Sequence, residues 1–178
     1  KAQKHNCEII FSNEDKYWSR FIYLYESHLK KIKANKKYFF KKKYYDEIKN
    51  SLKDNYQIIS CKYDNMIISS ILILYNEHYA NCHLIGSNDL ARKISANNLL
   101  HHEVIKWCIH NKIKFLHFGG GVNNDEQDSV FKFKKSFSNE LNNFYVGERV
   151  INFEIYNKFV KLNSNKKNLN NNLFKYRS

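Results

Sequence analysis

His83-Leu84-Ile85-Gly86-Ser87, Ser95-Ala96-Asn97-Asn98-Leu99-Leu100, Phe115-Leu116-His117-Phe118-Gly119-Gly120-Gly121 and Phe131-Lys132-Phe133-Lys134-Lys135-Ser136-Phe137 follow one another between His83 and Phe137. Their order predicts a strand, a polar loop over Ser87 to Ile94, and an amphipathic helix from Ser95 to Asn111. A short buried strand over Phe115 to Phe118, a glycine-rich turn and a lysine-studded helix complete the stretch. Leu100, Val104, Trp107 and Cys108 share one face of the long helix, and Lys112 and Lys114 flank its C-terminal end, where cations are favoured. Three consecutive glycines permit backbone angles and close approaches that other residues forbid. Ser129 is placed to cap the last helix, whose core face is Val130, Phe133 and Phe137.

Upstream, three strands follow closely. Tyr56 to Tyr63 alternates, with Ile59, Cys61 and Tyr63 on one side. Asp64-Asn65 is a two-residue hairpin turn. Met66 to Tyr75 is nearly all apolar, as expected of a strand covered on both faces. Asn76-Glu77-His78 turns again, and Tyr79 to Gly86 forms the third strand.

Further upstream, Cys7 to Phe11 is a short strand, and Ser12-Asn13 stand where a helix cap belongs, ahead of Glu14 and Asp15. Trp18, Phe21, Ile22, Tyr25 and Leu29 recur at helical spacing. Ala34 to Lys37 breaks that helix. Phe40, Tyr44, Ile48 and Leu52 make a second one, whose other face carries Lys41, Lys42, Lys43 and Lys49. A solvated surface is the plain account of that lysine run.

Downstream of Phe137, Asn123 to Asp128 having formed an acidic loop before it, Phe144 to Ile151 is a last strand. Ile155, Phe159 and Leu162 suit a closing helix. From Asn163 the Asn/Lys-rich chain reads as a flexible tail.

The predicted order is thus β-α-α-β-β-β-α-β-α-β. It implies an α/β (α+β) domain: a mixed, mostly antiparallel sheet flanked by helices on both faces. A doubly wound nucleotide fold would alternate strand and helix from the start and is excluded.

Composition sets the bounds. The chain has 178 residues, 43% of them hydrophobic and 16% aromatic, enough for one domain with a real core. It has no proline and only five glycines, so element boundaries carry little punctuation. A formal net charge of +13 and a pI near 9.5 attract anions: nucleic-acid backbone, phosphorylated donors or anionic lipid. Lys and Asn abound throughout, so an AT-rich coding sequence accounts for the charge equally well. Cys7, Cys61, Cys82 and Cys108 make no Cys-x-x-Cys and lie mostly in apolar stretches, which predicts buried free thiols in a reducing cytosol. The longest apolar run, Met66 to Tyr75, is too short to span a bilayer. The chain opens on lysine, which leaves room for a preceding segment.

The predicted order resembles the GNAT acyltransferase fold. The four motifs quoted above, the helix ending Ile105-Lys106-Trp107 and the Tyr38-Phe39-Phe40 to Leu52 stretch are similar to the FemABX group over roughly residues 1 to 155. That group includes peptidoglycan-bridge aminoacyltransferases and related acetyltransferase-like proteins. Its members usually carry two GNAT-like halves in tandem, and this chain looks like the second half. The resemblance implies one GNAT-like domain over residues 1–162 and a tail over 163–178. It also implies pairing with a first half or with a second copy of the chain.

The implied reaction transfers an aminoacyl or acetyl group to an amine of a cell-wall or surface-glycan precursor, nucleotide- or lipid-linked. It would occur in the bacterial cytoplasm or at the membrane surface. The co-substrate is aminoacyl-tRNA or acetyl-CoA, and no tightly bound cofactor is expected. The residues Gly86 to Ile94 carry one glycine where CoA enzymes of this fold usually have a glycine-rich pyrophosphate loop; the resemblance allows aminoacyl-tRNA as donor, and the basic charge suits it. Arg92, Lys93 and the first helical turn, with Ser95, Asn97 and Asn98, remain able to bind phosphate. A CoA-dependent amino-sugar N-acetyltransferase is the enzymatic alternative, and a non-catalytic module that binds RNA or a partner half is the other.

Such a transfer needs a neutral amine, a hydrogen-bond donor for the tetrahedral oxyanion and a proton for the leaving group. No Ser/His/Asp or Cys/His constellation is visible, so direct attack is expected. By analogy with the fold, backbone N–H groups of Leu84, Ile85 and Gly86 meet the donor. Lys134 matches a family lysine and would stabilise the oxyanion or a donor phosphate, with Phe133 packing in the core and against the donor. Gly119, Gly120 and Gly121 either admit substrate or simply form a tight turn. His83 and His117, on neighbouring strands, are candidate bases. Tyr145 is a candidate for proton transfer, and Asp128 for holding the substrate amine or starting a helix. His101-His102-Glu103 lacks metal-ligand spacing, because adjacent helical residues point about 100° apart.

Overall fold

A computed structural model describes residues 1–122, 125–143, 145, 147 and 149–163. The chain divides into two units, Lys1–Phe137 and Ser138–Ser178.

The first unit contains β1 (Glu8–Phe11), α1 (Asp15–Lys31), α2 (Lys42–Leu52), β2 (Tyr56–Tyr63), β3 (Met66–Tyr75) and β4 (Tyr79–Ser87). It continues through α3 (Asp89–Lys93), α4 (Ala96–His110), β5 (Phe115–His117) and α5 (Ser129–Lys135). The sheet order is β1-β2-β3-β4-β5. The first three pairings are antiparallel, and β4 pairs with β5 in parallel. The parallel pair is the geometric result of the α4 crossover, since parallel neighbours need a connection of a dozen or more residues. In the second unit, α6 (Phe153–Asn163) is the described helix.

Two apolar layers sandwich the sheet. Ile59, Cys61, Ile71, Ile73 and Ala80 face Leu100, Val104 and Cys108 of α4. Ile58 and Leu72 face Trp18, Phe21 and Tyr25 of α1 and Tyr45 and Ile48 of α2. β3 contributes to both layers, which is why its sequence shows no alternation. The Asp64-Asn65 turn takes left-handed angles at both residues, φ 47° and 59°, as a tight hairpin demands. All four cysteines are free thiols. Among the described residues no helix is long and apolar enough to cross a membrane.

Several local expectations are corrected. The polar loop over Ser87 to Ile94 contains α3, because the Asn88 side chain accepts from Ala91 N at 3.0 Å and Ala91 and Ile94 are buried. Asn13 does not cap α1. It bridges to β2, donating to the Tyr56 carbonyl at 3.0 Å and accepting from Ile58 N at 2.9 Å. Asp128, not Ser129, caps α5. Val130 turns outward, 37% exposed. For the strand expected over Phe144 to Ile151, Phe144, Val146 and Glu148 lie outside the described residues, and Tyr145, Gly147 and Arg149 to Ile151 are not in a strand. Asn123 and Asn124 of the expected acidic loop, and the expected tail from Ser164 onward, also lie outside the described residues.

Candidate active site

β4 breaks its regular pairing at His83. Ile73 pairs with Cys82 and Leu72 with Leu84, so His83 is an extra residue on β4. Such a bulge reverses which side the following residues face. Cys82 packs with the α4 layer, His83 and Leu84 both meet the α1/α2 layer, and Ile85 returns to the α4 layer. Gly86 then faces α1, where a Cβ would lie 2.3 Å from Tyr25 N. Only glycine lets helix and strand meet that closely.

On its other side, β4 is paired with β5 at Tyr79, Ala80 and Asn81 only, and β5 ends at His117. Beyond Asn81, β4 from Cys82 to Ser87 has no strand beside it there among the described residues. This is where the sheet opens, and it leaves main-chain groups of β4 available to a ligand.

Lys134 is brought to this opening by the glycine turn. Its ammonium donates to the Gly120 carbonyl at 2.8 Å. Gly119 holds φ 78°, which strongly favours glycine, and a Cβ there would meet the Lys134 Nζ at 3.1 Å. A Cβ on Gly121 would lie 2.9 Å from the Asp128 carboxylate, whereas Gly120 faces open space. Asp128 ties the turn to α5: its carboxylate accepts from Phe131 N at 2.7 Å and from Val122 N at 3.3 Å. Burial holds the Lys134 ammonium below its ordinary value, against the opposing pull of the Asp128 carboxylate. Burial likewise pushes the Cys82 thiol up to about 12, so it is neutral beside the lysine.

His101 completes this side. Its ring is buried, 3% exposed, stacked on Phe137 at 5.3 Å and Phe118 at 5.8 Å and edge-on to Phe133 at 5.0 Å. Nδ1–H donates to the Asn97 carbonyl at 2.8 Å, which leaves Nε2 with its lone pair. Burial lowers its pKa below the ordinary imidazole value and the nearby Lys134 charge adds to that, opposed by the hydrogen bond to the Asn97 carbonyl. In the sequence His101 stands out only within a His-His-Glu run that lacks metal-ligand spacing, and nothing local marks its place among Phe118, Phe133 and Phe137. Among the described residues no cluster suits a metal ion.

His83 lies on the opposite layer. Its Nε2 is hydrogen-bonded to the Tyr44 hydroxyl, and burial lowers its pKa. Tyr44 stacks on Phe40 at 4.1 Å. His117 ends β5 and meets Asn81 at 3.0 Å instead of His83. The bulge thus separates His83 from the Lys134 side of β4, while both border the open edge. Tyr145 belongs to the second unit, where its hydroxyl accepts from the Asn143 amide at 3.2 Å.

The residues expected to hold the donor are spread out. The Asn97 side chain links α4 to the strands, accepting from Ser69 Oγ at 2.6 Å and donating to Ser87 Oγ at 3.3 Å. Ser95 adopts left-handed angles, and its carbonyl accepts from Asn98 N at 3.1 Å. Ser95 and Asn98 border an open pocket of about 270 Å³ with Gln3, Leu99 and His102. Arg92 and Lys93 are exposed on α3, where Arg92 lowers the His28 pKa in support of its burial. Lys31 of α1 bridges to Asp89 of the same helix α3.

A model of the FemAB family matches residues 11–164. No curated protein matches the chain. Among solved structures it is similar to an aminoglycoside acetyltransferase from an uncultured soil metagenomic sample, in complex with trehalose: 13% identity, TM-score 0.58, covering 84% of this chain and 100% of that one. An acetyltransferase from Streptococcus agalactiae 2603 shares 15% identity at TM-score 0.56, over 80% of this chain and 92% of the other. A predicted acetyltransferase with acetyl-CoA from Clostridium acetobutylicum shares 8% identity at TM-score 0.56, over 82% of this chain and 96% of the other. At these identities the likeness establishes the GNAT fold.

Proposed function

The chain belongs to the FemAB family and has the GNAT fold, and from that premise we propose that it is an N-acyltransferase acting at the open edge of β4. It moves an aminoacyl or acetyl group from aminoacyl-tRNA or acyl-CoA to an amine of a cell-wall or surface-glycan precursor. The neutral amine attacks the activated acyl carbon, the carbonyl electrons move to oxygen, and collapse expels the tRNA hydroxyl or CoA thiolate. The amine's proton leaves to a base and the departing group gains one.

The observation that carries this reading is the Lys134 ammonium, held by the Gly120 carbonyl beside β4 where β5 stops. A half-buried cation there stabilises a developing oxyanion more strongly than an exposed lysine would. Its lowered pKa also makes it a better proton donor to the leaving group than an ordinary lysine. Main-chain N–H groups between Leu84 and Gly86 supply the second contact to the acyl oxygen. His101 and His83, whose pKa values burial lowers, are the two candidates for the base.

The test measures binding of acetyl-CoA, aminoacyl-tRNA and uncharged tRNA to the purified chain across a salt series. Preference for charged over uncharged tRNA, with a steep salt slope, supports aminoacyl transfer. Saturable acetyl-CoA binding supports the CoA-dependent amino-sugar acetyltransferase, toward which the acetyltransferase neighbours lean. With the donor that binds, Lys134→Ala is expected to lower kcat about a hundredfold and leave the denaturation midpoint nearly unchanged. Unaltered transfer would remove Lys134 from the mechanism.

A further inference from the structure

We propose that the lysine-rich surface between Lys30 and Lys43 docks the protein on an anionic lipid surface. Residues 30–43 contain eight lysines and no carboxylate. They form the end of α1, a single 3-10 turn at Lys36–Tyr38 and the start of α2.

The segment is fixed from behind. Phe39 and Phe40 pack against the α1/α2 layer, and the Tyr25 hydroxyl donates to the Tyr38 carbonyl at 3.0 Å. The Asn35 side chain accepts from Lys37 N at 3.0 Å. With Phe39 and Phe40 turned in, the lysines point out. Three have carboxylate partners: Lys30 with Glu26 at 4.0 Å, Lys43 with Glu47 at 3.7 Å, and Lys31 with Asp89. Lys33, Lys36, Lys37, Lys41 and Lys42 have none within ion-pair distance among the described residues. Between them stand Ile32, 54% exposed, and Tyr38, 43% exposed.

Exposed apolar side chains occur elsewhere on the chain, but here an isoleucine and a tyrosine stand inside a run of ammonium groups with few carboxylate partners. A headgroup layer accepts all three: ammonium groups pair with phosphates, tyrosine sits at the interface, and the aliphatic side chain enters the acyl boundary. Nucleic acid fits less well. The segment has no arginine to fork onto phosphate or base edges. Its one outward ring already carries the Lys37 ammonium at 5.2 Å, and isoleucine offers no stacking surface. Tyr44, which reaches His83 at the β4 bulge, lies one residue beyond this segment. A lipid-borne acceptor would therefore be presented on the His83 side of β4. That last step rests on the proposed acyl transfer, whereas the docking does not.

The full chain is sedimented with vesicles of phosphatidylglycerol in phosphatidylcholine and with phosphatidylcholine alone. Binding to the anionic vesicles alone, weakened by salt, is expected. Replacing Lys33, Lys36, Lys37, Lys41 and Lys42 by Gln should weaken it at least about a hundredfold, since each lysine near such a surface contributes about fivefold. A control with the same loss of charge, Lys1, Lys4, Lys53, Lys112 and Lys114 replaced by Gln, should bind within a few-fold of the parent. Ile32→Ser with Tyr38→Ala should remove the binding that survives high salt. Equal loss in the control, undiminished binding by the first variant, or equal binding to neutral vesicles overturns the proposal. So does a first variant that keeps its vesicle binding and loses affinity for a mixed-sequence RNA duplex, which would make the partner a nucleic acid.

Discussion

At the scale of single residues, one glycine and one histidine explain the β4 edge. His83 is the extra residue of the bulge, and Gly86 faces α1 only because of it. The sequence marked both as site residues, but periodicity alone could not show which face either would occupy. A one-residue shift moves every following side chain to the other face. Gly86 has a packing cause independent of any ligand. Gly86→Ala places a methyl group inside the α1 backbone, and neither Leu24 nor Tyr25 can yield there by rotating a side chain. Overpacking of this kind costs about 3 kcal/mol. Urea denaturation should show the midpoint falling accordingly. An unchanged midpoint would mean that α1 moves away at little cost.

Among the elements, α5 shows most clearly what local reading can and cannot find. Its lysines and phenylalanines were legible as a short amphipathic helix. That it folds over the glycine turn depends on Asp128, whose carboxylate serves the helix N-terminus and the Val122 N–H together. Phe133 and Phe137 then pack on His101 of α4. Asp128→Ala should destabilise the unit by about 1 kcal/mol and lower turnover by freeing the turn whose Gly120 carbonyl holds the Lys134 ammonium. Asp128→Asn, which keeps the cap, should restore most of both. Turnover lost equally in both variants, with stability preserved in Asp128→Asn, would instead mark the carboxylate as a direct substrate contact. α3 is not legible in the sequence, because Asn88 reads there as one more polar loop residue. Its capping role appears only once Ala91 and Ile94 are seen to be buried.

Across the whole molecule, burial depresses the pKa of three histidines: His28, His83 and His101. Each takes a proton in the unfolded chain near its ordinary value of 6.5 while the folded chain resists it. The unfolded state therefore binds more protons below that pH, and stability must fall on acidification. The melting temperature should be nearly flat above about pH 6.5 and decline below it. His101→Gln, which retains an N–H for the Asn97 carbonyl, should make the decline shallower. A melting temperature that rises on acidification would contradict the burial of these rings.

The sequence by itself determined β2, β3 and β4, the tight Asp64-Asn65 turn, the amphipathic helices and the order that makes the sheet mixed. These follow from alternation, helical spacing and turn chemistry, all local properties of the chain. Tertiary structure alone decided that β5 stops three residues into its pairing, that His83 bulges toward Tyr44, and that Lys134 rests on the Gly120 carbonyl. Tyr44 is 39 residues from His83 and Lys134 is 14 from Gly120. Contacts across such separations depend on how the layers pack, and no periodicity within a short window records that.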